Sequence, residues 1–165
     1  MIIYLYGLPA VGKNFIGEIL QNKFNFCFVD ADKFLTPEMK KKLKKSKHFT
    51  PSEVLKYHAI IALKISKLKH KYSKLVISQA SLKKSNRKEI KKLNPNIIFI
   101  NVYADINTIL DRIKTRKGYV TKKYVLYLVK YLEISKKDYC INNNKNTTVK
   151  KIIEQIEQIF IKICN

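Results

Sequence analysis

Gly7-Leu8-Pro9-Ala10-Val11-Gly12-Lys13-Asn14 is the stretch that decides the fold. An apolar run, Ile2-Ile3-Tyr4-Leu5-Tyr6, leads into it, and a segment with helical patterning, Asn14 to Lys23, leads out. Strand, glycine-bracketed loop and helix make the context of a phosphate-binding loop. Backbone N–H groups of such a loop line an anion-sized hollow, and the helix N-terminus behind it adds about half a positive charge. Gly7 and Gly12 allow the tight turn and close approach to phosphate. The expected nucleotide contacts are Gly7, Leu8, Pro9, Ala10, Val11, Gly12, Lys13, Asn14 and Phe15, with Lys13 reaching the β- and γ-phosphates. The last loop position is ordinarily Ser or Thr, whose hydroxyl holds Mg²⁺; here it is Asn14. The competing reading, an ordinary βα turn with a surface lysine, suits the placement after a first strand less well.

The chain has 165 residues, which fits one domain, and is 46% hydrophobic, enough for a real core. No apolar run approaches membrane-spanning length, and Met1 leads straight into the first strand, so the expectation is a cytoplasmic protein with no membrane partner. The net charge is +22, and only Arg87, Arg112 and Arg116 are arginine. Such a charge suits a nucleic-acid or acidic partner. A low-GC genome, which favours Lys, Asn and Ile codons, accounts for it better; four glycines and no tryptophan accord with that reading. Cys27, Cys140 and Cys164 lack metal-ligand spacing; the first two read as core residues. His48, His58 and His70 read as surface residues on lysine-rich segments.

Strands are expected at residues 2–6, 26–29, 74–78, 97–103 and 139–141, with helices between them. Residues 33–47 form a basic helical stretch. Thr50-Pro51-Ser52-Glu53 starts a long helix running to about Lys69, with Val54, Leu55, Ile60, Ile61, Leu63, Ile65 and Leu68 on its buried face. Ser81 caps the helix after the third strand and Asp105 the one after the fourth, which Gly118 stops. Alternating strands and helices predict an α/β fold: a three-layer α/β/α sandwich around a five-stranded parallel sheet, of the P-loop NTPase type.

Asp30 and Asp32 follow the second strand, at the edge where open α/β sheets place ligands. If strand geometry continues, their spacing puts both side chains on one face. One could take or orient a hydroxyl proton, and the other could hold Mg²⁺ directly or through water. A solvated turn with Asp32 as helix cap is the plainer alternative. Arg112 and Arg116 share one helix face and lead into Lys117-Gly118-Tyr119, the hinge of a candidate lid. From there an arginine could neutralise a transferring phosphoryl group, although a basic helix end complementing its dipole has the same pattern. Arg87, one turn past the third strand, could clamp a substrate or lie on the surface.

These pieces together resemble the gluconate kinases, relatives of shikimate kinase in the nucleoside-monophosphate-kinase group. The resemblance runs in order through the phosphate loop, Phe28-Val29-Asp30-Ala31-Asp32, Ser78 to Arg87, Asn94-Pro95-Asn96, Arg112 to Tyr119, and Leu126 to Glu133. It implies one kinase domain over residues 1–165, a basic substrate-side helical region at about 33–70 and a lid at about 112–124. It implies transfer of the ATP γ-phosphoryl group, with Mg²⁺, to a hydroxyl of a small sugar acid such as gluconate. Carried over, Lys13, Asp30, Asp32, Arg112 and Arg116 are catalytic, Asp32 and Arg87 bind substrate, and Asn14 and Asp30 hold the metal. A second copy of the chain is a further candidate partner.

The departures lie mainly on the substrate side. The family's Pro-Leu-x-Asp-x-Asp-Arg stretch is replaced by Phe49-Thr50-Pro51-Ser52-Glu53-Val54-Leu55, without arginine, and the lid histidine is Tyr119. The three consecutive glycines that mark shikimate kinases are absent. Two other functions compete: a kinase of nucleotides or nucleic-acid 5′ ends, motivated by the charge, and a degenerate nucleotide-binding relative, motivated by Asn14.

Overall fold

The computed structural model describes residues 1–45, 47–115 and 120–164. Five parallel strands form the sheet: β1 (Ile2–Tyr6), β2 (Cys27–Asp30), β3 (Leu75–Ser78), β4 (Ile97–Tyr103) and β5 (Tyr139–Asn142), in the order β2-β3-β1-β4-β5. Among the described residues the helices are α1 (Lys13–Phe24), α2 (Pro37–Lys44), α3 (Pro51–Leu68), α4 (Lys84–Leu93), α5 (Ile106–Thr115), α6 (Lys122–Val129) and α7 (Val149–Cys164); a 3₁₀ turn covers Ala31–Phe34. This is the expected α/β fold with its five-stranded parallel sheet.

Strand β1 is buried on both faces, so its side chains divide between two cores. Ile3 and Leu5 pack with Ile16 and Leu20 of α1, Ile109 of α5 and Ile152 and Ile156 of α7. Tyr4 and Tyr6 pack with Ile61 and Ile65 of α3 and Ile90 of α4. Strand register then builds an edge. Asp30 is level with Ser78, and Ser78 with Leu5, so the ends of β2, β3 and β1 deliver their next residues to one place. With β4 on the other side of β1, the loop after β1 leaves the sheet where successive connections diverge, the position at which open α/β sheets bind ligands.

Local signals explain most helix starts. Thr50 and Glu53 form a reciprocal capping box at α3, and Thr36, Thr121 and Asp105 accept N-terminal amides of α2, α6 and α5. Other expectations need correction. The amide of Lys84 at the start of α4 donates to the Glu133 carboxylate, 49 residues away, so Ser81 does not cap that helix; Ser81 is buried and has φ 28°. On α3, Leu55 and Leu63 are half exposed, while Tyr57, His58 and Ala62 are buried. The helix packs its Tyr57, Ile61 and Ile65 face into the core, and His58 is buried beside that face. Cys140 is exposed and Cys27 half-buried, because the outer strands are covered less completely than β1. No described helix is long and apolar enough to cross a membrane.

Candidate active site

Two glycines and one alanine set the shape of the loop. Gly7 has φ 146°, Ala10 φ 63° and Gly12 φ 95°. A Cβ on Gly7 would lie 2.3 Å from the carbonyl oxygen of Val102, so the loop can leave β1 only with no side chain there. From the other side, Asn143 after β5 donates to the carbonyl of Val11 at 2.8 Å. Arg112 donates to the carbonyls of Ala10 and Val11 at 3.3 and 3.2 Å, and to that of Asn143 at 2.8 Å. The loop's carbonyls are thus held on its outer side by β5 and α5. Arg112, on α5, is thereby anchored at the base of the loop. Arg116, together with Lys117, Gly118 and Tyr119, lies outside the described residues.

Lys13 folds back over the loop, its ammonium donating to the carbonyls of Gly7 at 3.0 Å and Leu8 at 2.8 Å. Asn14, on the first turn of α1, reaches the edge built by β2 and β3. Its amide nitrogen donates to Asp30 Oδ2 at 2.6 Å and its oxygen accepts from Ser78 Oγ at 2.7 Å. The three side chains offer carboxylate, amide and hydroxyl oxygens, which are hard donors suited to Mg²⁺. Among the described residues no group of three or more His, Cys, Asp or Glu could hold a metal ion; a magnesium site that also draws on phosphate oxygens does not require one.

Asp30 is the last residue of β2, but Asp32 lies in the 3₁₀ turn, so the expected strand-face pairing is replaced by a local bond: Asp30 Oδ1 accepts the Asp32 amide at 3.0 Å. Asp32 Oδ1 in turn accepts from Gln79 Nε2 at 2.9 Å. The same nitrogen lies 2.7 Å from the Tyr57 hydroxyl, which donates to the carbonyl of Ala31 at 2.7 Å. Burial and the neighbouring Asp32 charge push the Tyr57 phenol far up, so it stays a donor. Beside it, His58 Nδ1 lies 2.7 Å from the carbonyl of Val54 and must carry the proton. Its Nε2 then accepts from Ser81 Oγ at 2.8 Å, and Tyr4 completes the chain by donating to Ser81 at 2.7 Å. Burial lowers the His58 pKa, so the imidazole is neutral. The surface position expected for His58 is thereby corrected: it is only 4% exposed.

All of this opens onto one cavity of about 770 Å³. The structure brings Lys13, Asn14, Asp30, Asp32 and Arg112 to its walls, along with Pro9, Ala10, Gly12 and Phe15 of the loop region. Gly7, Leu8 and Val11 lie behind, Leu8 and Val11 within the core. Arg87 is not brought there. It is 4% exposed, its guanidinium donates to the carbonyls of Ser81, Leu82 and Glu133, and it stacks 3.9 Å above the Tyr6 ring. Those contacts use the fork that a substrate would have needed, so Arg87 ties α4 to the sheet and does not face the cavity. The cavity is also lined by residues that were not singled out from the sequence: Gln79, Tyr57 and His58, and Tyr124, Tyr127 and Tyr131 on and just past α6. The three tyrosines stand at helical spacing, a pattern visible in the sequence but masked by its reading as lid and core.

A profile of the shikimate kinase family matches residues 9–165. The chain belongs to the shikimate kinase family. It is 29% identical over 164 residues to a shikimate kinase of Sulfurihydrogenibium sp. (strain YO3AOP1), spanning 98% of this chain and 96% of that protein. The crystal structure of a gluconokinase from Sinorhizobium meliloti 1021 superimposes with a TM-score of 0.80 at 16% identity, covering 97% of this chain and 95% of that one. A sugar kinase from Janibacter sp. HTCC2649 gives 0.84 at 17% identity, with 95% and 92% covered. The two structures share the fold. The family membership makes the chain a P-loop phosphotransferase with an alcohol acceptor, while the specific gluconate kinase identity implied by the resemblance is not established.

Proposed function

We propose that the chain transfers the γ-phosphoryl group of ATP to a hydroxyl group of a small molecule. One juxtaposition carries this reading: the phosphate loop, the Asn14–Asp30 pair and Asp32 face the same cavity. The triphosphate would lie against the loop amides, with Lys13 moving its ammonium from the Gly7 and Leu8 carbonyls to the phosphates. Mg²⁺ held by Asn14 and Asp30, with Ser78 alongside, would supply charge neutralisation at the β- and γ-oxygens. Asp32 would accept the proton of the acceptor hydroxyl as its oxygen bonds the γ-phosphorus and the bond to the bridging oxygen of ADP breaks. Arg112, at the base of the loop, would offset the negative charge of the transferring group, and Arg116 would share that role.

Gluconate, the sugar acid implied by the resemblance, and shikimate, named by the family, are the first acceptors to assay. The test is ADP release with each, on protein first shown by calorimetry to bind ATP. Turnover that collapses in Asp32→Asn supports the reading. Tight ATP binding with no transfer to any hydroxyl compound would sink it and leave a nucleotide-binding relative without turnover.

A further inference from the structure

Asp32, given the proton-accepting role above, stands in a 3₁₀ turn and is exposed. A carboxylate so placed works as a base only when its direction is set by its neighbours. Part of that direction runs through one amide, that of Gln79; the inference rests on the kinase reading above. The Gln79 oxygen accepts from the Ala80 amide and is thereby turned back onto its own main chain. The nitrogen then faces the other way, and each of its two protons has a partner: Asp32 Oδ1 at 2.9 Å and the Tyr57 hydroxyl oxygen at 2.7 Å. Exchanging the two ends of the amide would set its oxygen against the Asp32 carboxylate and its protons against the Ala80 N–H, so the order is fixed.

Tyr57 gives this arrangement a rigid origin. Its own proton goes to the carbonyl of Ala31, the residue between the two aspartates, at 2.7 Å, which leaves the lone pairs of its oxygen turned to Gln79. Its side chain is 4% exposed and packs in the core with Leu35, Met39 and Ile61. The next residue of α3 grips the other side of the same loop, where His58 Nε2 bonds Ser81 Oγ at 2.8 Å. Between the two, the carbonyl of Ala80 accepts from the Gly7 amide at 3.3 Å. Gln79-Ala80-Ser81 is thus held at both ends by α3 and at its centre by the phosphate loop.

We propose that Tyr57 is a positioning residue for phosphoryl transfer, acting on Asp32 through the Gln79 amide. Its hydroxyl holds one N–H of Gln79 so that the other stays on Asp32 Oδ1, and the carboxylate keeps one direction as the acceptor hydroxyl arrives. Val54 and Leu55 of the same helix line the cavity. The helix that forms acceptor-side wall is therefore also the helix that aims the base, and a shift of α3 reaches Asp32 through a single hydroxyl.

The test measures ADP release with gluconate, with shikimate, and with water alone as acceptor. Tyr57→Phe deletes the hydroxyl and keeps the ring in the core. Its kcat should fall about ten-fold, within the coupling range of groups in one hydrogen-bond network, with the Kd for ATP and the acid limb of the pH profile kept. The double variant decides the route: in a Gln79→Ala background, Tyr57→Phe should change kcat by less than about two-fold. Losses that multiply in the double variant overturn the route through Gln79. An unchanged kcat in Tyr57→Phe overturns the role, and so does a raised Kd for ATP with kcat held, which would make Tyr57 a support of the phosphate loop. Gln79→Met keeps the length of the side chain but donates to neither partner, and should also lose about ten-fold in kcat; an unchanged kcat there overturns the proposal even where Tyr57→Phe does not fold. Native ADP release with unaffected variants sinks the proposal alone. A native chain that binds ATP and releases ADP under none of the three conditions sinks the proposal and the kinase reading together.

Discussion

The Asn14 amide and the Asp30 carboxylate are joined across 2.6 Å, at the point where β1, β2 and β3 end together. An amide has one acceptor and one donor face, and both are used: Ser78 gives its hydroxyl proton to Asn14 Oδ1 while Asp30 takes the amide proton. The carboxylate fixes which way the amide points. Asn14 thus retains an oxygen at the place where loops of this type ordinarily put a hydroxyl, and Ser78 supplies a hydroxyl next to it. Asn14→Ser should therefore bind ATP in magnesium at least as tightly as the native chain. Asn14→Leu should lose most of the magnesium dependence of ATP affinity and about 1–3 kcal/mol of stability from partners left unpaired. Calorimetric ATP titrations with Mg²⁺ and with chelator check the first effect, and urea melts the second.

Gly12 is fixed by backbone and neighbour together. Its φ of 95° is unfavourable for any residue with a Cβ, and a Cβ there would stand 2.1 Å from Asn143 Nδ2. Asn143 cannot simply swing away, since it holds the Val11 carbonyl. Gly12→Ala should cost about 1–3 kcal/mol in strain and displace the loop amides. The expected outcome is a lower urea midpoint together with at least partial loss of ATP binding by calorimetry.

The fold was legible because β1 and the loop after it carry a strong local signal, and strand–helix alternation fixes the rest. Asp105 and Thr50 announced their helices for the same reason: caps are local. What failed was non-local. Glu133 caps α4 from 49 residues away, and no window around Ser81 contains that information. His58 resembled a surface histidine because Ser81, which holds its Nε2 and is itself bonded to Tyr4, meets it only across the fold. At the site, the phosphate half could be read from spacing, since the loop is contiguous. The proposed acceptor half draws on α2, α3, the end of β3 and α6, so no single window of sequence assembles it.

Arg87 shows the same limit and yields a prediction. Its guanidinium serves the Ser81, Leu82 and Glu133 carbonyls, stands 3.6 Å from Asp138, and covers Tyr6, whose hydroxyl also donates to Asp138 at 2.7 Å. A lysine keeps the charge but not the planar fork. Arg87→Lys should cost about 1–3 kcal/mol for each carbonyl left unpaired, while ATP affinity changes little. A substrate-binding arginine would behave oppositely, with stability kept and acceptor KM raised. Chemical denaturation beside ATP calorimetry separates the two.

His58 makes stability depend on pH in a defined direction. Burial lowers its pKa in the folded chain below the ordinary 6.5, so the unfolded chain binds more protons between the two values. The neutral imidazole's contribution is therefore fully present above pH 6.5 and declines as pH falls toward the folded value. Protonation would also turn Nε2 into a donor, so the Ser81–His58 bond would have to reverse direction. Thermal melts of the native chain should fall more steeply below pH 6.5 than those of His58→Gln, which has no proton to gain.

Asp32 offers the sharpest separation of binding from chemistry. Its carboxylate is exposed to the cavity and held by Gln79, which is itself braced by Tyr57 from α3. None of these groups belongs to the phosphate loop. Asp32→Asn keeps the shape and still meets Gln79 through its amide oxygen, but cannot take a proton. Turnover should fall by about 10²–10⁴-fold, the usual contribution of a positioned base, while ATP affinity stays within a few-fold. Gln79→Ala leaves the carboxylate in place but unsteadied, and should lower kcat by a smaller factor, about ten-fold, with the pH profile kept. Equal losses in the two variants would reassign Asp32 from proton acceptor to positioning group. Single-turnover rates across pH make that distinction, because only the loss of a base removes the acid limb of the profile.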